Sequence, residues 1–223
     1  MDTAAAHYGD WRFERTGGLC RVVGGHGLCF AASAAAAGSG LAGVDALGVP
    51  AAPVPRGALR HTLSLRFRSR GFFRAEPAAH VALGVTGEWR KADPNAEDWN
   101  GRLAGRGAIL GNVSDAPGGC AEAPVLQLES FHTRGNALIA GSASPRLSED
   151  TWYALELHAS LDGRLGCRLH DGTGRLLHAA EVDDAGADVP PGLGGWWITH
   201  VFSDLHPQQD WSLDLVDLRT HWR

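Results

Sequence analysis

The sequence predicts an all-β protein built as an antiparallel two-sheet β-sandwich. Three observations predict it. Apolar and polar residues alternate through run after run, the period-2 signature of antiparallel strands with one buried face. Gly, Pro and Asp turns separate these runs, and helical periodicity is nearly absent. The stretch from Gly194 onward reads as a strand, a polar turn with Pro207, and a long strand ending near Trp222. In that long strand Trp211, Leu213 and Leu215 share one face; after Leu215 the phase slips, and Val216, Leu218, Thr220 and Trp222 share the next. A slip of this kind predicts a β-bulge or a change of partner strand, which suits a sandwich better than a barrel of short strands.

The elements follow in order. Residues 9–30 read as a first hairpin, in which Trp11 and Phe13 alternate with Arg12 and Glu14 before a glycine-rich turn at 24–27. Residues 31–58 are rich in Ala, Gly and Pro and read as a long surface loop with one helical turn near 42–47. Strands follow at 61–67, with Leu63, Leu65 and Phe67 inward, and at 79–85. A polar excursion over 88–106 precedes strands at 107–113, 125–131 and 137–140. The run 151–160 places Tyr153, Leu155 and Leu157 inside, and Asp162-Gly163 turns it back into Leu165, Cys167 and Leu169. A further strand spans 175–182, and a loop leads to the C-terminal pair. The N- and C-terminal strands, both bearing Trp, are expected to pair and close the sheet. The expectation is one domain over residues 1–223.

Composition narrows the function. A net charge of −5 argues against general nucleic-acid binding, which needs a basic stripe. No run approaches the roughly 20 apolar residues of a membrane span, so membrane insertion is not expected. The first residues carry neither the basic nor the apolar region of a secretory signal, so cytoplasmic synthesis is expected, with later incorporation in a virion or non-classical export left open. Cys20, Cys29, Cys120 and Cys167 form no CxxC pair and are expected to be free, buried thiols.

The run Ser148-Glu-Asp-Thr-Trp-Tyr-Ala-Leu-Glu-Leu-His158, followed by Asp162-Gly and Cys167-Arg-Leu-His-Asp-Gly-Thr-Gly-Arg-Leu-Leu177, resembles a hairpin of the concanavalin A-like lectin/glucanase superfamily, laminin-G-like domains included. Asp210-Trp-Ser-Leu-Asp-Leu-Val-Asp-Leu-Arg-Thr-His-Trp222 resembles the closing strand of those domains. The match is strongest over 148–222. The resemblance implies a jelly roll of two bent sheets whose concave sheet and rim loops bind glycans, with some members cleaving them.

The residues offer several chemistries. A retaining glycosidase needs two carboxylates about 5 Å apart, and the one-strand E-x-D-x-E run that glucanases of the superfamily use is absent. The catalytic alternative is Glu129 facing Glu156 or His158, if their strands are neighbours. Eleven dispersed histidines include no H-x-H and no H-E-x-x-H, so a catalytic zinc is not expected. Asp93, Asn95 and Asp98 form an oxygen-rich loop that suits calcium, the one cofactor with a candidate site. Sugar binding needs an aromatic wall beside a few placed polar groups. Trp89, Arg90, Asp98, Trp99 and Asn100 offer that mix in one loop, Gln127 and Glu129 supply a polar strand face, and Trp197 is the indole expected to face out.

Three readings follow. The first is a non-catalytic, lectin-like module binding a glycan or cell-surface polysaccharide, including an adhesion or phage receptor-binding module. The second is a polysaccharide hydrolase or lyase. The third is a structural subunit of a homo-oligomer or larger assembly.

Overall fold

The computed structural model describes residues 4–8, 11–17, 19–23, 27–32, 44–75, 79–89, 103–111, 123–132, 135–183, 192–201 and 210–223. Fifteen strands and one helical turn lie among them. The strands are β1 (Ala4–Tyr8), β2 (Trp11–Gly17), β3 (Leu19–Val23), β4 (Gly27–Ala32), β5 (Val44–Pro50), β6 (Arg60–Arg70), β7 (His80–Trp89) and β8 (Leu103–Gly111). They continue as β9 (Val125–His132), β10 (Gly135–Ala143), β11 (Trp152–Ser160), β12 (Leu165–Asp171), β13 (Leu176–Val182), β14 (Gly194–Val201) and β15 (Trp211–Trp222). The turn α1 (Phe72–Ala75) follows β6.

All the strand ladders are antiparallel and form two sheets. One has eight strands in the order β1-β2-β5-β14-β7-β8-β9-β10; the other has seven, ordered β13-β12-β11-β6-β15-β4-β3. Between them lies the main core. Leu63, Leu65 and Phe67 of β6, Leu155 and Leu157 of β11, and Leu213 and Leu215 of β15 meet Val81, Leu83 and Val85 of β7, Leu126 and Leu128 of β9, and Trp197 of β14. The alternation in the sequence is the cause: β6 and β11 bury every second side chain. Phe72 and Phe73 of α1 plug one end, with Phe72 edge-on to Trp211 at 5.5 Å.

The phase slip in the last strand is a bulge. The pairing of β15 with β6 shifts register between Val216 and Arg219, and Asp217 takes a left-handed conformation with φ of 52°. Inward burial through Leu215 gives way there to half-buried and exposed residues.

Two expectations change. The closure between the two ends of the chain is made by β4, which pairs with β15 on the side away from β6. The first Trp-bearing strand, β2, lies in the opposite sheet and reaches β15 across the interior, where Trp11 Nε1 donates to Leu218 O at 3.2 Å. The interval 31–58 is not one loop either, because β5 occupies the middle of the eight-stranded sheet, between β2 and β14. Of the helical turn expected near 42–47, residues 44–47 are strand, and 42 and 43 lie outside the described residues. Small residues are what this place needs: a Cβ on Gly48 would stand 2.0 Å from Trp197 Nε1. Cys29 and Cys167 are buried, and burial holds the Cys167 thiol far above its usual pKa.

Three further side-chain contacts tie the layers at their margins. Arg106 points inward from β8 and donates to Ser160 O and Gly163 O, both at 3.1 Å, in the β11–β12 hairpin. Trp222 Nε1 donates to Leu193 O at 3.1 Å. Ser142 Oγ and His178 Nε2 meet at 2.8 Å where β10 and β13, an edge strand of each sheet, come together.

Candidate functional site

The two outer faces of the sandwich differ in kind. That of the eight-stranded sheet is apolar and covered: Leu47, Ala82, Ile109, Phe131 and Trp196 form a second buried cluster there. Register places one cross-strand row through its middle, Trp196–Gly84–Gly107–Glu129–Leu138, running from β14 to β10. The Trp196 indole lies along this row on a floor of two glycines. A Cβ on Gly84 would stand 1.9 Å from Trp196 Cζ2, and one on Gly107 would stand 3.1 Å from Cη2. Phe131 meets the ring edge-on at 5.1 Å. Ile109 pairs with Gln127 in the adjoining row.

Polar groups sit within this apolar face. Gln127 and Glu129 are 4% and 8% exposed. Gln127 Oε1 and Trp196 Nε1 are buried without a hydrogen-bond partner. A buried donor and a buried acceptor left open on one face are costly, and each calls for an explanation such as an ordered water or a ligand hydroxyl.

The seven-stranded sheet turns a polar face outward. Arg68 binds Asp214 through two nitrogens, at 2.6 and 2.9 Å, and its guanidinium stacks 4.9 Å from the Trp152 ring centre. Glu156 and His158, two apart on β11, share this face: His158 Nε2 lies 2.7 Å from Glu156 Oε1, and Thr62 Oγ1 lies 3.2 Å from His158 Nδ1. The hydrogen bond from His158 holds the Glu156 carboxyl below its ordinary pKa, against the opposing effect of burial. Beside this pair is a groove of about 250 Å³ lined by Arg60, Thr62, His158 and Glu181 among others.

The structure sorts the residues singled out from the sequence. Glu129 belongs to the eight-stranded sheet and Glu156 and His158 to the seven-stranded one, on opposite outer faces, so the cross-strand acid/base pair does not form. Trp197 is corrected: it packs inward at 0% exposure, 6.2 Å from Phe30, and its neighbour Trp196 takes the outer face. Gly48 makes room for the one indole and Gly84 for the other. Gln127 and Glu129 share the outer face, as the alternation of β9 predicts. Trp89 closes β7 opposite Leu103. Arg90, Asp93, Asn95, Asp98, Trp99 and Asn100 lie outside the described residues, and with them the calcium candidate. Among the described residues no group of three His, Cys, Asp or Glu side chains could hold a metal ion, and no helix is long and apolar enough to cross a membrane.

Sequence reasoning missed the outward role of Trp196 and the groove. The signal for the first was the glycines at 84, 105 and 107, which alternate on strands that otherwise carry bulky residues. The groove had none, since its residues come from five separate strands and a turn.

No protein-family model and no curated protein sequence matches the chain. Solved structures do. Peanut lectin superposes with a TM-score of 0.62 at 12% identity, covering 98% of this chain and 99% of its own. The exoplasmic/lumenal domain of VIP36, bound to calcium and Man3GlcNAc, gives 0.60 at 14% identity over 94% and 84%. The CBM2 module of the evolved Dit of Lactobacillus casei BL23 phage J-1 gives 0.57 at 13% identity over 93% and 80%. At these identities the likeness speaks to architecture, and with the two-sheet topology above it establishes that this chain adopts the concanavalin A-like jelly-roll fold.

Proposed function

We propose that residues 1–223 form one lectin-like domain that binds a glycan, with no chemistry performed on it. The observation that carries this reading is the open acceptor on Gln127 and the open donor on Trp196, buried on one sheet face beside Glu129. Sugar hydroxyls both donate and accept, so they suit an open carbonyl and an open indole N–H on the same sheet face. Trp196 and Phe131 are buried beside these groups and pack edge-on at 5.1 Å. Support also comes from two neighbours solved with saccharides bound: Man3GlcNAc for the VIP36 domain and Tn-antigen for basic winged bean lectin. Binding is favoured over hydrolysis because Glu129 and Glu156 stand on opposite faces, too far apart in the fold to flank one glycosidic bond. The likeness to a phage CBM2 module extends the proposal to a recognition module carried on a larger particle, with a cell-surface polysaccharide as its partner.

The test is a glycan array read with the wild type and with Gln127→Met, which keeps the volume and removes the amide. The expected result is a bound glycan whose affinity falls about tenfold in the variant, the loss of one good hydrogen bond. Folding stability should be unchanged or higher, since an unpaired buried carbonyl is gone. A wild type that binds no glycan at millimolar concentration, or a variant that binds equally well, overturns the reading.

A further inference from the structure

The groove on the outer face of the seven-stranded sheet lies across the sandwich from the surface just discussed. Register aligns its floor as one cross-strand row: His221, Thr62, His158, Gly166 and Glu181, contributed by β15, β6, β11, β12 and β13. Gly166 is why there is a hollow. It has no side chain, and a Cβ there would meet nothing nearer than Glu181 Cγ at 3.5 Å. His158 and Glu181 therefore stand as walls on either side of a bare stretch of backbone.

The rim is cationic. Arg60, Arg164 and Arg223 line the groove with Glu181, three guanidinium groups to one carboxylate among its lining side chains. The nearby carboxylates are engaged elsewhere. Glu156 is held by His158, and Asp162 accepts from the Ser160 hydroxyl. Arg164 reaches Asp162 and Asp183 only at 3.8 and 3.9 Å, at exposed positions where such pairs contribute little. Arg223 Nε donates to His221 Nε2 at 3.0 Å, so its terminal nitrogens remain for a ligand. For Arg60 no ion pair or side-chain hydrogen bond occurs among the described residues.

The geometry points to a second binding site, one for an anionic sugar: a carboxylate-bearing hexose unit of the glucuronate kind. A guanidinium fork takes the carboxylate bidentately. Thr62 and Glu181 present donors and acceptors for ring hydroxyls, and His158, engaged by Glu156 and Thr62, forms a wall. At about 250 Å³ the hollow falls just below the range of drug-sized pockets, which suits one ring rather than a chain. The anion preference stands on the groove alone; the choice of a sugar acid over another small anion rests on the carbohydrate-binding reading.

The experiment is an NMR titration of the full chain with methyl glucuronide, methyl glucoside and inorganic sulfate as separate probes. Methyl glucuronide should shift the amides of Thr62, His158, Gly166 and Glu181. Arg60→Gln should weaken it about tenfold, while Glu181→Gln, removing the opposing charge, should strengthen it about threefold. Both positions are solvent-facing, so both variants fold. Sulfate binding as tightly as the glucuronide overturns the sugar assignment and leaves only an anion site. Equal shifts from the neutral glucoside overturn the anion preference. Absence of shifts in the groove overturns the site altogether, and the glycan array with Gln127→Met reports on the other face independently.

Discussion

Gly84→Ala is the sharpest test of how the eight-stranded sheet carries Trp196. The new methyl would stand 1.9 Å from Trp196 Cζ2, against at least 3.4 Å for ordinary contact, so the ring must retreat by about 1.5 Å. Phe131 stands edge-on against the ring at 5.1 Å and limits that retreat. Overpacking of this kind costs about 1–3 kcal/mol, and replacing a strand glycine by alanine returns roughly 0.5–1 kcal/mol of backbone entropy. The net expectation is a loss of about 1–2 kcal/mol, or a Tm lower by about 2–8 °C at this chain length. Urea unfolding followed by tryptophan fluorescence reads it directly, and the native emission should shift as the indole moves. Two controls guard the logic. Gly166→Ala, with nothing nearer than 3.5 Å, should stay within about 0.5 kcal/mol of wild type. In a Trp196→Leu background most of the penalty of Gly84→Ala should vanish, because the clash partner is gone. A Gly84→Ala protein as stable as wild type with an unshifted spectrum would refute the described seating of the indole.

Arg106→Met removes two hydrogen bonds to hairpin carbonyls across the layers and should cost about 2–3 kcal/mol in urea unfolding, with the β11–β12 hairpin losing hydrogen-exchange protection first. His61 is buried against Trp222, 4.6 Å between ring centres, and burial lowers its pKa to about 4. The unfolded chain then binds the extra proton between pH 6.5 and about 4 while the folded one does not, so stability falls as pH drops through that window, by up to about 3 kcal/mol. His61→Gln should flatten that slope in pH-dependent unfolding; an unaltered slope would remove His61 as its source. Asp217→Val places a β-branched residue at φ of 52° and should cost about 1–2 kcal/mol by thermal unfolding, while Asp217→Asn should stay within about 0.5 kcal/mol.

Much of the fold was legible in the residues. The alternation of β6, β11, β12 and β15 reports burial directly because each has one face on the core, and even the bulge announced itself as a phase slip at Leu215-Val216. Strand β5 was hidden because its neighbours demand small residues, and small residues also compose loops. Trp196 and Trp197 could not be told apart because β14 is buried on both faces, which erases alternation. The candidate sites were less legible for a different reason. Glu129 and Glu156 are separated by strand order, and the groove row is assembled by register; both are long-range facts with no local trace.

Strand β15 lies between β4 and β6, yet it comes about 140 residues after β6 in the chain. During synthesis β4 and β6 therefore hold two unsatisfied strand flanks apart until β15 is made. Such closure is slow, since nearly every ladder bond it makes spans most of the chain. A nascent chain stalled or cleaved before Trp211 keeps those flanks bare.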